Sequence, residues 1–512
     1  MDIAKFGNTA FDNPAVDALT FRDAGGNPIR YNTGALPKAT PLWSPRVGFN
    51  WDVFGDHKTQ VRGGTGVFTG KPAYVWISNQ IGNTGMLTGF SEVRTSSTAF
   101  PFNPNPATYK PTNVTGAPAV SVDLAVTNPD FQFPQTWRTN IGFDQKLPWG
   151  LVGTAEFIYN KDVNGMAYIN ANLPAAQSAY SGVDTRQRWV ATTAYPACAT
   201  AGQVGPCVSR LNNTTGNQIT QAIVLQNQDI GRSWNFAATL ARPFSKGLQV
   251  KGAYSYGESR NVIDPGSIAS GSFTGNQIVN DPNNPALAFS GNSPGHRFFI
   301  QASYTKQYFN FGATTVSMFY ETRTYGNTSY VFSGDANGDT ATANDLIYIP
   351  RNQGEMNFLS LTATASGVTR TFTPAEQAAA FDSYINQDSY MSQHRGEYMQ
   401  RGALFYPMVG RMDLSLTQDL FHSIKGMKHA GQIRLDITNV GNLLNHDWGQ
   451  GYAVYQNRIL VPAGADANNA LQYRMATFTT ATGPILIPQT FQRTANTSDV
   501  YVLMLSFRYT FR

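Results

Sequence analysis

The chain has 512 residues, and only 13% of them are charged, whereas soluble globular proteins carry about 25%. Aromatic residues make up 12%, and the formal net charge is +5. No apolar run reaches the roughly 18 residues of a membrane-spanning helix, and the aromatic content argues against a disordered chain. The basic residues form no stripe of the kind that nucleic-acid binding needs, so no nucleic-acid partner is expected. We infer a β-protein whose surface faces something other than water.

Short segments in which apolar and polar residues alternate recur along the chain. In the first of them Val47, Phe49 and Trp51 share one parity, while Arg46 and Asn50 share the other. This period of two is typical of a half-buried strand. The pattern predicts five hairpins and one last strand, about eleven strands in all: Arg46–Val53 with Gln60–Thr69, Thr136–Lys146 with Leu151–Lys161, Ser233–Arg242 with Leu248–Tyr256, His296–Tyr304 with Gly312–Glu321, Arg411–Leu420 with Gly431–Val440, and Asp499–Arg512.

The connections between the predicted strands are alternately short and long. Short turns join the two strands of each hairpin, whereas long polar segments separate the hairpins. This asymmetry is typical of outer-membrane barrels, in which the short turns face the periplasm and the long loops face outward. It favours an all-β fold, a transmembrane antiparallel β-barrel with long extracellular loops. The long loops are Lys71–Gln135, Asp162–Arg232, Gly257–Gly295, Thr322–Gly410 and Gly441–Ser498.

Charged residues within the predicted strands fall mostly on the polar parity, which a barrel would turn toward its lumen. A Lys or Arg that faces lipid at the bilayer midplane costs about 2–4 kcal/mol. Arg242 falls on the apolar parity, but it lies beside a turn, where it can snorkel to the interface. The predicted lumen residues are Arg46, Arg62, Arg138, Glu156, Lys251, Arg297, Glu321, Arg411, Asp413, Arg434, Asp436 and Arg508.

Eleven is an odd number of strands, and an antiparallel sheet with an odd number cannot close on itself. Bacterial single-chain barrels have even numbers. We therefore expect residues 46–512 to be the C-terminal part of a larger barrel, preceded by a loop segment over residues 1–45. Met1–Ala10 lacks the basic and apolar regions of a signal peptide, and no plug domain is recognisable.

Cys198 and Cys207 are the two cysteines of the chain and lie close together in one polar segment. In an oxidising compartment they would form a local disulfide bond. The alternative is two unrelated free thiols.

Five residues with side-chain oxygens lie close together in the Thr322–Gly410 loop: Asp335, Asn337, Asp339, Asn344 and Asp345. Hard cations such as Ca²⁺ need several oxygen ligands of this kind. The EF-hand pattern is not met, because Gly338 lies two positions early and Leu346 takes the place of the bidentate Glu. One interpretation is a structural Ca²⁺ site that stabilises the loop, and the other is an Asx-rich turn that satisfies its own backbone. No other cofactor is expected.

The segment Gly291-x-Ser293-x-Gly295 imitates the nucleophile elbow of a hydrolase. That motif needs a strand-to-helix turn and a backbone N–H after the serine. Pro294 has no N–H, and the segment leads into a predicted strand. We therefore expect no enzymatic activity.

Farther along the same long loop, Thr373, Pro374 and Glu376 form the pattern of a helix capping box. The pattern predicts a short helix that continues over Gln377–Tyr384. Loop packing is the simpler role for this helix, and a lid or partner surface is the alternative.

Several short motifs, taken in order, resemble TonB-dependent outer-membrane transporters, specifically the Oar-like group. The resemblance runs from about Leu42 to the C-terminus. It implies a 22-stranded barrel, of which this chain would supply the C-terminal half. The motifs are Ser44-Pro45-Arg46-Val47-Gly48-Phe49, Val61-Arg62-Gly63-Gly64-Thr65-Gly66-Val67-Phe68, Pro134-Gln135-Thr136-Trp137-Arg138-Thr139-Asn140, Gly334-Asp335-Ala336-Asn337-Gly338-Asp339, Asn344-Asp345-Leu346-Ile347-Tyr348-Ile349-Pro350, Arg411-Met412-Asp413-Leu414, Asp436-Ile437-Thr438-Asn439-Val440 and Asn442-Leu443-Leu444-Asn445 with Trp448.

The resemblance also implies a receptor of the cell outer membrane that serves substrate uptake or adhesion. Its partners would be the outer-membrane lipid, the missing N-terminal barrel half and plug, the TonB complex through that plug, and an unknown extracellular ligand. The alternative is a secreted soluble β-rich protein that binds carbohydrate or serves adhesion. Recovery of the protein without detergent would favour this alternative.

Overall fold

The fold is built around one antiparallel sheet whose strands pair in chain order. The computed structural model describes residues 11–71, 73–86, 101–105, 108–109, 122–190, 210–214, 217–308, 312–421 and 429–511. Each of the eleven main strands is hydrogen-bonded to its neighbours in chain order, and the first and last strands have one such neighbour each, which makes the sheet a meander. The strands are β1 (Arg46–Asp52), β2 (Thr59–Thr69), β3 (Gln135–Lys146), β4 (Val152–Asp162), β5 (Arg232–Ser245), β6 (Leu248–Asn261), β7 (Gly295–Tyr308), β8 (Gly312–Arg323), β9 (Val409–Phe421), β10 (His429–Thr438) and β11 (Val502–Phe511).

The eleven strands confirm the five predicted hairpins and the predicted last strand. Observed and predicted ends differ by a few residues, because hydrogen bonding continues beyond the alternating pattern, as in β6 and β7. Within the described residues, β1 pairs only with β2, and β11 pairs only with β10. The sheet therefore has two open edges in the part of the chain that the structure describes.

The described residues contain five α-helices. The first, α1 (Pro14–Asp17), precedes β1, and the others lie in the long connections: α2 (Val75–Gly82), α3 (Ala269–Thr274), α4 (Pro374–Gln387) and α5 (Val440–Leu444). The helix predicted from the capping box is confirmed by α4, in which the Thr373 hydroxyl accepts from Glu376 N and the Glu376 carboxylate accepts from Thr373 N. In the described ranges, no helix has both the length and the apolar character that a membrane crossing would require.

The long connections are more structured than their polar composition predicts. A second sheet joins two of them: Val122–Thr127 of the β2–β3 connection runs parallel to Asn217–Gln228 of the β4–β5 connection, which pairs in antiparallel fashion with Gly165–Asn170 of the same connection. The remaining short strands are Phe21–Arg22, Pro28–Ile29, Ser178–Ala179, Gln187–Arg188, Asn213–Thr214, Ala288–Phe289, Asn327–Thr328, Val331–Phe332, Leu361–Ala365, Val368–Phe372, Leu404–Phe405, Tyr452–Val454, Arg458–Ala465, Leu471–Met475, Thr477–Thr480, Gly483–Leu486 and Phe491–Arg493.

Nearly all buried apolar residues lie outside the main sheet, in the long connections and in the segment before β1. Tyr330, Phe381 and Ile459 are fully buried in one cluster, here named the loop core, which draws on the β4–β5, β8–β9 and β10–β11 connections. Because the strands alternate in direction, all the long connections leave the same end of the sheet. The loop core therefore lies at that end.

Candidate functional site: the faces of the sheet and its loops

One face of the main sheet is apolar and exposed from edge to edge. Val47 and Trp51 are 68% and 57% exposed in β1, and Leu505 and Phe507 are 75% and 64% exposed in β11. Soluble proteins rarely leave so extended an apolar surface in water. An apolar medium is therefore the environment that this face fits. Cross-strand pairs carry the apolar face across the sheet: Ile141–Phe157, Phe157–Phe236, Tyr254–Phe298, Ile300–Tyr320, Met318–Leu414, Leu416–Leu435 and Leu435–Leu505.

The opposite face carries ion pairs between neighbouring residues of the sheet. Arg62 on β2 donates to Asp144 on β3 at 2.9 Å and to Glu156 on β4 at 3.4 Å. Arg297 on β7 donates to Glu321 on β8 at 2.7 Å. These pairs follow from the register, because a residue and its cross-strand neighbour point to the same face.

The register places the predicted lumen residues on this polar face. Arg434 pairs with Asp436 at 2.8 Å within β10, and Lys251 lies over the ring of Phe299 at 5.9 Å. The charged residues that fall on the apolar face lie near the strand ends, and Arg242 and Glu258 are two of them. Arg242 is on the apolar face opposite Val250, beside the β5–β6 turn, as predicted. Glu258 is also on the apolar face, at the loop end, where it accepts from Arg260 at 3.3 Å.

Exposed aromatic side chains gather where the strands meet the short turns. Trp149 in the β3–β4 turn is 86% exposed, and Phe54 in the β1–β2 turn is 74% exposed. Aromatic residues concentrate at this level in proteins that cross a bilayer, because their rings suit the headgroup region. Others at the same end are Trp51, Phe143, Tyr304, Tyr509 and Phe511.

A polar cavity of about 540 Å³ lies between the β6–β7 and β8–β9 connections, and its lining includes Asp264, Asn327 and Arg401. Arg401 is buried and donates to Asn276 Oδ1 at 2.6 Å. Burial lowers the pKa of Arg401, and the charge of Asp264 opposes that shift. Polar side chains in the cavity wall, among them Asp264, Asn276 and Asn327, suit contact with a polar molecule.

No motif or local spacing in the sequence predicts this cavity. Its residues come together only through tertiary contacts, and Arg401 contacts partners more than a hundred positions away, such as Asn261. The one available signal was the density of Ser, Gly and Asn residues in the Gly257–Gly295 loop. That composition is ordinary for loops.

The five residues of the predicted Ca²⁺ site do come together in the structure. Asn337, Asp339, Asn344 and Asp345 are buried. Asp339 Oδ2 accepts from the side-chain amides of Asn337 and Asn344, each at 3.2 Å. Asp335 accepts from the backbone N–H groups of Gly338 and Thr340 at 2.6 and 2.8 Å. The Asx-turn interpretation thus describes part of the loop, while the metal site stays a prediction.

The predicted disulfide and the Gly291-x-Ser293-x-Gly295 segment remain to be placed in the structure. Cys198 and Cys207 lie outside the described residues, so their disulfide stays a prediction. The buried Ser293 hydroxyl accepts from the backbone N–H of Ser259 at 3.1 Å. Gly295 begins β7 immediately afterwards, so this segment leads into a strand and not into a helix.

Comparisons with known proteins point to membrane barrels. A family model described as an outer membrane beta barrel domain matches residues 3–452. The outer membrane transporter YddB from Escherichia coli is similar over 91% of this chain and 40% of its own, with 9% identity and a TM-score of 0.39. The siderophore receptor PirA from Acinetobacter baumannii is similar over 78% of this chain and 37% of its own, with 7% identity and a TM-score of 0.35. A ferric enterobactin receptor (PfeA) mutant from Pseudomonas aeruginosa has 9% identity, coverages of 91% and 40%, and a TM-score of 0.34.

The chain therefore spans about two fifths of the length of these solved structures, 40% of the first. No curated protein matches it significantly.

Proposed function

The chain belongs to the outer membrane beta barrel domain family, and from that premise we propose that it is the C-terminal barrel portion of a TonB-dependent receptor of the Oar-like group. It is an outer-membrane protein, and the apolar face of its sheet meets lipid. The observation that carries the proposal is the eleven-stranded meander, with one apolar exposed face and one face of paired charges. The assignment to the Oar-like group is supported by the short sequence motifs that, taken in chain order, resemble that group.

The open edges of the sheet support the proposal that the chain is part of a larger barrel. An edge strand presents unpaired N–H and C=O groups, and in lipid each such group costs several kcal/mol. β1 and β11 are such edges among the described residues. We propose that further strands pair with both of them and complete an even-numbered barrel. In this arrangement a plug belonging to the same receptor contacts the TonB complex.

The long connections, in this proposal, face the cell exterior and receive the ligand. The polar cavity beside Arg401 lies in these connections, and the polar side chains that line it, such as Asp264 and Asn276, suit a polar ligand. The role is uptake or adhesion, and we propose no enzymatic activity. The ion pairs on the opposite face belong to the lumen, where water and polar groups keep charges solvated.

Membrane fractionation tests the location and the topology. We expect the protein to sediment with the outer membrane, to resist a carbonate wash and to be released by detergent.

Labelling of single cysteines tests which end of the sheet faces the cell exterior. In a background with Cys198 and Cys207 replaced by Ser, Ser366→Cys places one cysteine in a long connection. This cysteine should react with an impermeant maleimide on intact cells. Asp56→Cys in the β1–β2 turn is the matched control and should react only after lysis. Recovery in the soluble fraction, or the reverse labelling pattern, would contradict the proposal.

A further inference from the structure

The loop around Asp335 lies in a buried group of charges, here named the loop charge cluster. Its members are Asp184, Arg186, Arg210, Asp335, Asp339 and Asp345. Arg186 is fully buried and donates to Asp184 at 2.9 Å, and its other terminal nitrogen lies 3.6 Å from Asp345 Oδ1. Arg210 donates to the carbonyl of Asp339 at 3.2 Å and to the hydroxyl of Thr340 at 2.6 Å.

Negative charge exceeds positive charge in the loop charge cluster, which contains four carboxylates and two guanidinium groups. Arg188 packs over the ring of Tyr180 at 4.2 Å and adds one more positive charge to the region. The carboxylates still outnumber the guanidinium groups. The segment 191–209, which leads into Arg210, contains no charged residue in its sequence. A buried excess of negative charge is costly unless a cation compensates it.

Two oxygens lack hydrogen-bond donors, one on Asp345 of the cluster and one on the adjacent Asn344. Asn344 Oδ1 and Asp345 Oδ1 are buried and have no hydrogen-bond partner among the described residues. The amide group of Asn344 is directed into the cluster, because its Nδ2 donates to Asp339 Oδ2 at 3.2 Å. The free oxygen of that amide is therefore beside the Asp339 carboxylate. Buried acceptors are nearly always satisfied by a donor, a water molecule or an ion.

We propose that the loop charge cluster binds one Ca²⁺ ion through Asp339 and Asn344, with Asn337 and Asp335 as further oxygen donors. Across the described ranges, no three His, Cys, Asp or Glu side chains form a group that could hold a metal. The proposed set accordingly combines carboxylate and amide oxygens, both of which serve as ligands of hard cations. Rotation of the Asn344 and Asn337 amides would turn their oxygens toward the ion in place of their N–H groups.

The ion would join two connections of the chain. The Asp335 loop belongs to the β8–β9 connection, while Trp189 of the β4–β5 connection donates its backbone N–H to Asn337 O at 2.8 Å. The Tyr180 hydroxyl, also from the β4–β5 connection, donates to Ala336 O at 3.0 Å. Cation binding would thus strengthen the contact between these two connections, and this consequence does not depend on the proposed receptor function.

Calorimetric titration of the detergent-solubilised chain, stripped with EGTA, tests the site with CaCl₂ as the probe. We expect about one ion per chain, a dissociation constant near 10⁻⁴–10⁻³ M, as in extracellular modules, and a rise in the melting temperature with added Ca²⁺. Asp339→Asn removes one ligand charge and should weaken binding at least tenfold. Asn344→Ala removes the unpartnered oxygen without a change of charge and should also weaken binding.

Asp466→Asn is the matched control, because Asp466 also accepts from backbone N–H groups in a turn, at 2.8 and 2.9 Å, but outside the cluster. It should bind Ca²⁺ as the wild type does. If Asp339→Asn fails to fold, Asn344→Ala decides the location. Absence of heat and of a thermal shift at about 10 mM Ca²⁺ would overturn the proposal, as would binding that neither cluster variant weakens.

Discussion

Asp264 shows how one carboxylate organises the wall of the polar cavity. It accepts from Asn261 Nδ2 at 2.7 Å, from Ser290 Oγ at 2.6 Å and from the backbone N–H of Gly291 at 2.7 Å. Burial alone would raise the pKa of Asp264. The donors, helped by the charge of Arg401, outweigh burial and leave the pKa below 3.8. The folded state therefore stabilises the ionised form of Asp264 relative to the unfolded state.

This lowered pKa predicts an acid-dependent loss of stability. The contribution of ionised Asp264 is fully present above the unfolded-state pKa of about 3.9 and is lost as the pH falls through the lower folded-state pKa. We expect Asp264→Asn to lower the free energy of unfolding at pH 7 by about 0.5–1.5 kcal/mol, because solvent screens the contacts of this exposed carboxylate, and to reduce the stability lost below pH 4. Thermal unfolding of the solubilised chain between pH 3 and 7 measures both effects.

Asp130→Asn serves as the control, since Asp130 forms an exposed ion pair with Lys38, and such pairs contribute little. An Asp264→Asn profile parallel to that of the wild type would contradict the prediction. Asp264 could not be identified from the sequence, because Ser290 and Gly291 lie 26 and 27 positions away. Asp335 and its neighbours were identifiable because their spacing is local.

At the scale of single elements, the N-terminus of α4 depends on its capping box. The Thr373 hydroxyl accepts from Glu376 N at 3.2 Å, and Glu376 Oε2 accepts from Thr373 N at 2.7 Å. We expect Thr373→Ala to cost about 1 kcal/mol, because a helix-terminal N–H group loses its acceptor. Urea unfolding monitored in the loop region measures the change. Ser383→Ala, at an exposed position within α4, is the control and should not destabilise the helix.

An arginine introduced on one face of β8 should cost far more stability than an arginine introduced on the other face. Met318 faces the apolar side, opposite Ala302 and Leu414, whereas Ser317 faces the polar side, where its hydroxyl is 3.0 Å from that of Ser303. We expect Met318→Arg to cost about 2–4 kcal/mol in a bilayer. Ser317→Arg should cost much less, since its side chain reaches the lumen. Unfolding in lipid vesicles compares the two variants, and equal losses would refute the assignment of the faces.

The main strands were predictable because their signal is local. Alternation over Val47, Phe49 and Trp51 needs no knowledge of the rest of the chain. The second sheet was not predictable in this way. Ile223 and Val224 are both buried and lie next to one another, so no alternation marks the strand. Their parallel partners Ala125 and Val126 are about a hundred positions away, and tertiary contact alone selects that pairing.

At the scale of the whole molecule, the open edges of the sheet predict uneven protection of the backbone. In the chain alone in detergent, outward-facing amides of β1 and β11 should exchange hydrogen faster than amides of β6 and β7, which are paired on both sides. Hydrogen exchange read by mass spectrometry measures this difference. Protection of both edges in protein extracted from its native membrane would indicate that further strands cover them. Equal protection in the isolated chain would contradict an open sheet.

The main sheet and the loop core differ in how far apart along the chain their contacting residues lie. Within each hairpin a short turn joins the two strands, so a hairpin can form with short-range closure. The loop core is different: Thr490 donates to Asp388 across 102 positions, and Tyr180 donates to Ala336 across 156 positions. These contacts require the connections that follow β4, β8 and β10. We therefore expect the hairpins to form early, and the loop core to pack only after the β10–β11 connection has reached the other two.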